Sequence, residues 1–169
     1  MTAGARGVLE FWLAMPRIVT IEEIAQAPRA VFAFFVPQRL GYWYGAEMQA
    51  EIEVAGGADE FVAGQKVRIS GTLLGKIVSH TVMVTECRWG VVLEWRFLDA
   101  YGVKGTERWE FSAMEIGGAA GTRVRMISDY LVAGFFARIT DWLITRRSVA
   151  RRNRDYLGRL KRMAERGKE

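Results

Sequence analysis

Residues 107–130 read ERWEFSAMEIGGAAGTRVRMISDY, and this run predicts a β-hairpin. In its first half Glu107, Trp109 and Phe111 alternate with polar neighbours, and the second half repeats the alternation as far as Tyr130. A period of two places successive side chains on opposite faces of a strand. The glycines at 117–121 separate the two halves, and short glycine-bearing breaks favour antiparallel hairpins over crossover connections.

The same alternation occurs further toward the N-terminus. Earlier segments with this pattern predict strands at residues 17–24, 47–54, 66–73, 78–85 and 93–97. Glycines at 56–57, 75, 90 and 102 lie between these segments. With the hairpin, they predict an antiparallel meander of about seven strands, each with one apolar and one polar face.

Two short helices are predicted between the first strand and the second. Pro28 suits a first helical turn and is followed by apolar residues as far as Phe35. Pro37 ends this helix, because proline disfavours helical geometry in the residue before it. It also opens a second helix over residues 38–44, which Gly45 closes.

The last segment changes its period from two to 3.6. Its apolar residues form one stripe on a helix of about thirty residues, about 45 Å long. The stripe contains Phe135, Ile139, Trp142, Val149, Ala150, Leu157, Leu160 and Ala164. The order of elements therefore predicts an α+β fold, in which a curved antiparallel sheet wraps around a long C-terminal helix with an apolar cavity between them.

Four segments carry a resemblance to a known superfamily: IAQAPRAVF at 24–32, Tyr42-Trp43, TRVRM at 122–126 leading to Asp129-Tyr130, and LGRLK at 157–161. Over roughly residues 16–166 the chain resembles the START-like (SRPBCC) superfamily, which has the helix-grip fold. Within it the chain is most similar to the bacterial polyketide cyclase/dehydrase and lipid-transport-like group. The resemblance implies the fold but not the activity, since the superfamily includes hydrolases, cyclases, hormone receptors and carriers.

Composition agrees with one domain. Half of the 169 residues are apolar, and the length suits a single core, so we expect one domain at 16–169 after a flexible extension at 1–15. The extension is apolar but lacks a signal-peptide layout, and Cys87 is the only cysteine, so we expect a cytoplasmic protein. With one histidine and one cysteine, we expect no zinc site and no cofactor.

Positive charge concentrates at the C-terminus. Residues 138–169 carry a net charge of +7, whereas the rest of the chain carries −2. The predicted helix then either has a solvated basic face or meets an anionic membrane surface. No nucleic-acid motif accompanies the charge, so we expect no nucleic-acid partner.

Three residues are candidate acid–base groups. His80 shares a predicted face with Val82, and Glu107 shares one with Trp109, so both would point toward the cavity. Tyr130 adds a hydroxyl on the same predicted side. The alternatives for His80 are a hydrogen-bonded position inside the core or a local register slip that turns it out to solvent. The alternative for Glu107 is a position near the start of its strand that solvent reaches.

Further residues are candidate ligand contacts. Arg146 falls on the helix stripe, where it could pair with Glu107 or bind a carbonyl or acidic ligand, or else extend its charged end to water. Asn153 also breaks the stripe, and tryptophans could wall a cavity for a flat ligand or simply fill the core. The ligand-contact candidates are Trp43, Trp95, Trp109, Phe111, Met126, Ser128, Trp142 and Arg146.

Two function classes follow. The first is a carrier or ligand-binding protein for a hydrophobic small molecule such as a lipid, a quinone or an aromatic polyketide-like compound. The second is a polyketide cyclase, dehydratase or aromatase that uses the acid–base candidates. A third, chaperoning a coenzyme-Q-type molecule at a membrane surface, would use the basic helix. The sequence does not predict an oligomeric state.

Overall fold

The computed structural model describes residues 17–98, 104–131 and 146–166, and there the predicted α+β fold is confirmed. The strands are β1 (Arg17–Ile24), β2 (Glu51–Val54), β3 (Lys66–Leu73), β4 (Lys76–Arg88), β5 (Val92–Leu98), β6 (Lys104–Ile116) and β7 (Ala119–Leu131). The helices are α1 (Pro28–Phe32), α2 (Pro37–Leu40) and α3 (Arg146–Arg166), with a 3₁₀ turn at Ala46–Met48. The seven strands form one antiparallel sheet in the order β1-β7-β6-β5-β4-β3-β2.

The hairpin of β6 and β7 is the longest pairing in this sheet. Each strand has 13 residues, and Trp109 lies opposite Met126 while Glu107 lies opposite Ser128. The turn uses Gly117 at φ +60° and Gly118 at φ +79°. Residues with a Cβ rarely adopt these angles, which explains why glycines separate the two strands.

The first two strands lie at opposite edges of the sheet. β1 pairs antiparallel with β7, whereas β2 pairs with β3 at the far side. The chain crosses between these edges through α1 and α2, and both helices begin with a proline as predicted. The crossing buries Phe32, Phe35 and Leu40 against the sheet.

The second strand is shorter than its alternation predicted. Met48 ends the 3₁₀ turn, and Gln49 has a left-handed backbone at φ +52°, so β2 begins only at Glu51. Gly41 lies against the carbonyl oxygen of Ala50, where a Cβ would collide. This close approach of α2 to the chain before β2 interrupts the pattern that the sequence suggested.

α3 packs its apolar stripe on the sheet. Its buried residues are Asn153, Tyr156, Leu157, Leu160 and Ala164, so the stripe is confirmed from 153 onward. Residues 135–145 of the predicted helix lie outside the described residues. Near the end of α3, Glu165 accepts a hydrogen bond from the Ala25 backbone at 2.9 Å. No helix in the described ranges combines the length and apolarity needed to cross a bilayer.

Candidate functional site

A cavity of about 260 Å³ lies between the sheet and α3. Aromatic rings form much of its wall, but charged and polar groups also reach it, so the wall is less apolar than predicted. The lining residues are Tyr44, Glu47, Met48, His80, Val82, Trp95, Phe97, Glu107, Arg152 and Tyr156. They come from the segment before β2, from β4, β5 and β6, and from α3.

Glu107 is the buried charge at the centre of this wall. Only 2% of the residue is exposed, because its strand turns it toward α3 between the buried residues Gly105 and Trp109. Its Oε2 accepts hydrogen bonds from the Tyr44 hydroxyl at 2.6 Å and from Trp95 Nε1 at 3.3 Å. Its Oε1 accepts one from Arg152 Nη2 at 2.6 Å. Both carboxylate oxygens are therefore engaged.

Arg152 supplies the opposing charge from α3. Burial is the largest single influence and lowers the pKa of Arg152, but Glu107, Tyr44, Tyr156 and Glu47 together outweigh it and hold the pKa above its ordinary value. The Arg152 side chain remains 39% exposed, and its guanidinium lies 5.6 Å from the centre of the Tyr156 ring. Its Nε is buried without a hydrogen-bond partner among the described residues, so the guanidinium keeps unused donor capacity.

Two tyrosines connect this ion pair to a second one. The rings of Tyr44 and Tyr156 lie 4.8 Å apart, and Tyr156 donates to Glu47 Oε1 at 2.6 Å. Glu47 also accepts a hydrogen bond from Arg159 at 2.8 Å. Burial, more than any other cause, raises the pKa of Tyr44 and of Tyr156. Both phenols are therefore neutral hydrogen-bond donors near neutral pH.

His80 reaches the same cavity from β4. It is half-buried, and Ile69 lies opposite it on β3. Val82, two residues further along β4, also lines the cavity, as the alternation predicted. The structure therefore brings His80, Trp95 and Glu107 together, three of the residues that the sequence selected.

Other selected residues lie away from the cavity wall. Ser128 is buried and accepts a hydrogen bond from Asn153 Nδ2 at 2.9 Å, which fixes α3 to β7. Tyr130 is buried and is not a lining residue. Trp43 donates to the Phe34 carbonyl oxygen at 3.0 Å within the core. Three more of the ligand-contact candidates also lie in the hydrophobic core, namely Trp109, Phe111 and Met126.

The position of Arg146 is corrected by the structure. Arg146 is exposed and lines an open surface groove, and the arginine that pairs with Glu107 is Arg152. Arg152 lies beside the buried stripe residue Asn153, and from there its long side chain reaches into the cavity. Trp142 lies outside the described residues.

Sequence reasoning missed several lining residues. The spacing of Arg152 and Tyr156, one helical turn apart beside the interruption at Asn153, was an available signal. Tyr44 and Glu47 lie in an irregular segment without a period, and only the folded chain shows that they face the cavity.

Solved structures with the same architecture are found at low sequence identity. An aromatase/cyclase from Streptomyces sp. R1128 matches with a TM-score of 0.66 and 15% identity, over 92% of this chain and 96% of that one. A protein of unknown function from Staphylococcus aureus matches with a TM-score of 0.69 and 12% identity, over 91% and 97%. The chain has the helix-grip fold.

A third helix-grip match is a protein of the dynemicin biosynthetic locus, with a TM-score of 0.63 and 14% identity. The matched region covers 89% of this chain but only 48% of the dynemicin-locus protein. No protein-family model and no curated protein matches the sequence. At these identities the likeness establishes the helix-grip fold alone.

The cavity offers a ligand two kinds of contact, aromatic and polar. Tyr44, Trp95 and Phe97 offer aromatic surface to a flat ligand, while Arg152 and His80 offer polar contacts beside it. Glu107 is occupied by three donors, and this leaves it poorly placed to take a proton from a substrate. The carboxylate instead holds Tyr44, Trp95 and Arg152 in position.

Proposed function

We propose that the protein binds a hydrophobic small molecule in the cavity between the sheet and α3, as a carrier or ligand-binding protein. The observation that carries this proposal is the cavity itself, walled by aromatic rings and by the Glu107–Arg152 pair. Ligand pockets in proteins combine such apolar walls with a few placed polar groups.

The volume of the cavity limits the size of the ligand. A dry cavity of about 150 Å³ holds one benzene ring. At about 260 Å³ this cavity suits a ring system of about two fused rings, such as a quinone or an aromatic polyketide-like head, better than a whole lipid. The unused donor capacity of Arg152 favours a ligand with a carbonyl or hydroxyl oxygen.

A second candidate function is an aromatase, cyclase or dehydratase. It is favoured by the position of His80, whose imidazole lines the same cavity as Arg152 and the Tyr44 hydroxyl. In such a reaction His80 would take a proton from the carbon beside a substrate carbonyl, and Arg152 would stabilise the enolate oxygen. The helix-grip likeness to an aromatase/cyclase agrees with this alternative but does not favour it over binding alone.

The test is native mass spectrometry of freshly purified protein, followed by organic extraction of whatever it releases. We expect a discrete added mass from a small aromatic or quinone-like compound. The released compound is then offered to the His80→Gln variant, with the intrinsic tryptophan fluorescence of the protein reporting its binding. Unchanged affinity and no chemical conversion by the wild type support the carrier.

Conversion of the compound by the wild type, lost in His80→Gln while binding persists, would replace the carrier with the enzyme. A protein that carries no added mass and whose fluorescence does not respond to naphthoquinone or naphthol probes contradicts ligand binding in this cavity.

A further inference from the structure

The hairpin of β3 and β4 ends in an exposed apolar tip. Leu74 is 95% exposed and Ile77 is 85% exposed, and Leu73 beside them is also exposed. Leu74 has a left-handed backbone at φ +51°, and Gly75 follows at φ +75° to complete the turn. Between residues 71 and 80 the chain has no acidic residue and one cation, Lys76.

This tip extends beyond the described part of the neighbouring strand β5. The described part of β5 ends at Leu98, opposite Thr81, so β4 continues five residues further to Lys76. At about 3.4 Å per residue the hairpin projects about 17 Å past that point. Leu98, the last described residue of β5, is also exposed at this end of the sheet.

A cluster of arginines lies at the same end of the molecule. Arg146, Arg147, Arg151 and Arg154 are exposed on α3 and line an open groove with Ala150. Asp155 is the exposed acidic residue beside them. Among residues 146–155, the part of this surface that the structure describes, these four cations against one exposed anion make a strongly positive patch.

The direction of α3 follows from its contacts with the first and last strands. Asn153 is bonded to Ser128 of β7, whereas Ala164 accepts a hydrogen bond from Gln26, just after β1. The start of α3 therefore points toward the sheet end that holds Lys104 and Leu131, which are opposite each other. Leu98 pairs with Lys104, so this is also the end from which the hairpin projects.

The cavity links the two elements that carry these features. His80 is four residues from Lys76 at the hairpin tip, and Arg152 is six residues after Arg146. His80 and Arg152 both line one cavity of about 260 Å³, so β4 and the first half of α3 face each other there. An apolar projection and a basic cluster thus share one end of the protein.

We propose that this end docks on a membrane surface containing anionic lipid. The apolar tip would enter the interfacial region, and the arginines would meet the anionic headgroups. A single apolar anchor gives only marginal membrane binding, and combining it with a basic patch makes the binding stable; here the fold supplies both kinds of contact. The apolar tip favours a membrane over nucleic acid, since a polyanion in water offers nothing for Leu74 and Ile77 to enter. This inference goes beyond ligand binding and holds for a carrier or an enzyme.

The test is cosedimentation of the purified protein with vesicles of phosphatidylcholine, with or without phosphatidylserine. We expect binding only when phosphatidylserine is present, weakening as salt is raised. The tip variant is Leu74→Asn/Ile77→Thr, which removes apolar surface while asparagine tolerates the left-handed backbone. We expect it to lower the vesicle affinity by about tenfold or more. Its control is Val62→Thr, an exposed apolar residue in the loop between β2 and β3, at the other end of the sheet.

The charge variant is Arg147→Gln/Arg151→Gln, and its control is Arg162→Gln/Arg166→Gln, at the far end of α3. The two pairs remove equal charge, so a larger loss from the first pair locates the docking surface. The proposal is supported if the tip variant and the charge variant both lose vesicle binding while keeping the wild-type circular dichroism spectrum. Both control variants should bind the vesicles as the wild type does.

Absence of wild-type binding to phosphatidylserine vesicles would overturn the proposal. So would equal losses in the variants and their controls. A loss in the charge variant alone would mean that the apolar tip takes no part in docking, and it would also overturn the proposal.

Discussion

Arg152 Nη2 on α3 lies 2.6 Å from Glu107 Oε1 on β6, and this contact joins the closing helix to the middle of the sheet. The same glutamate accepts the hydroxyl of Tyr44 from the segment before β2. One carboxylate therefore holds three separate parts of the chain around the cavity. Its loss should affect both stability and the shape of the ligand site.

Replacing Glu107 by glutamine should lower the free energy of unfolding by about 2 kcal/mol, because Arg152 loses its partner inside the wall. Breaking a fully buried pair costs about 3–5 kcal/mol, and the partial exposure of Arg152 reduces this. Urea unfolding measures the change. The control is Glu110→Gln on the outer face of the same strand, where exposed ion pairs are worth about 0–1 kcal/mol. Equal losses in the two variants would mean that the pair does not fasten α3.

Replacing Tyr44 by phenylalanine should cost about 1–2 kcal/mol, since the buried oxygen of Glu107 loses its shortest neutral donor. Thermal and urea unfolding both report this change. Tyr42→Phe is the matched control, because Tyr42 is exposed and two residues away. A Tyr44→Phe protein as stable as the Tyr42→Phe protein would contradict the hydrogen bond's role.

The raised pKa values of Tyr44 and Tyr156 predict a loss of stability in alkali. Each phenol binds its proton more tightly in the folded state, so its contribution is fully present below about pH 10, the unfolded pKa. It declines as the pH rises toward the higher folded pKa. Unfolding free energies measured from pH 8 to 11 should fall more steeply in the wild type than in Tyr44→Phe/Tyr156→Phe. Parallel curves would contradict the assignment.

Filling the cavity should separate ligand binding from folding. Val82→Phe adds a ring at a lining position, and we expect it to abolish ligand binding with little loss of stability. Val82 and Val84 both belong to the buried core, but Val84 does not line the cavity, so Val84→Phe has no space for the ring and should cost about 1–3 kcal/mol. Native mass spectrometry and urea unfolding measure the two effects. Retained ligand in Val82→Phe would place the ligand elsewhere.

The strands could be predicted from the sequence wherever a strand has one buried apolar face and one solvent-exposed polar face. β6 alternates over residues 104–111, so the positions of Glu107 and Trp109 followed from the period alone. The pattern failed before β2, because Gln49 adopts a left-handed backbone that no apolar alternation reveals. Register also placed His80 and Trp95 correctly at the cavity, since both lie on regular strands.

The polar half of the site was less accessible to sequence reasoning. The helical stripe pointed to Arg146, whereas Arg152 reaches the cavity from the flank of the stripe on a long, flexible side chain. The positions of Tyr44 and Glu47 depend on how the short helices α1 and α2 direct the chain toward β2. Such positions are set by tertiary contacts over long sequence distances, which local patterns do not contain.

The pairing of β1 with β7 sets the order in which this protein can be completed during synthesis. Arg17 bonds Asp129 across 112 positions of sequence, and α3 packs against β1 as well. Closing so long a loop is entropically costly and slow, so local hairpins such as β6–β7 should assemble first. β1 is synthesised before its partners β7 and α3, and until β7 is made β1 stays unpaired and β6 presents a bare edge on which a chaperone could act.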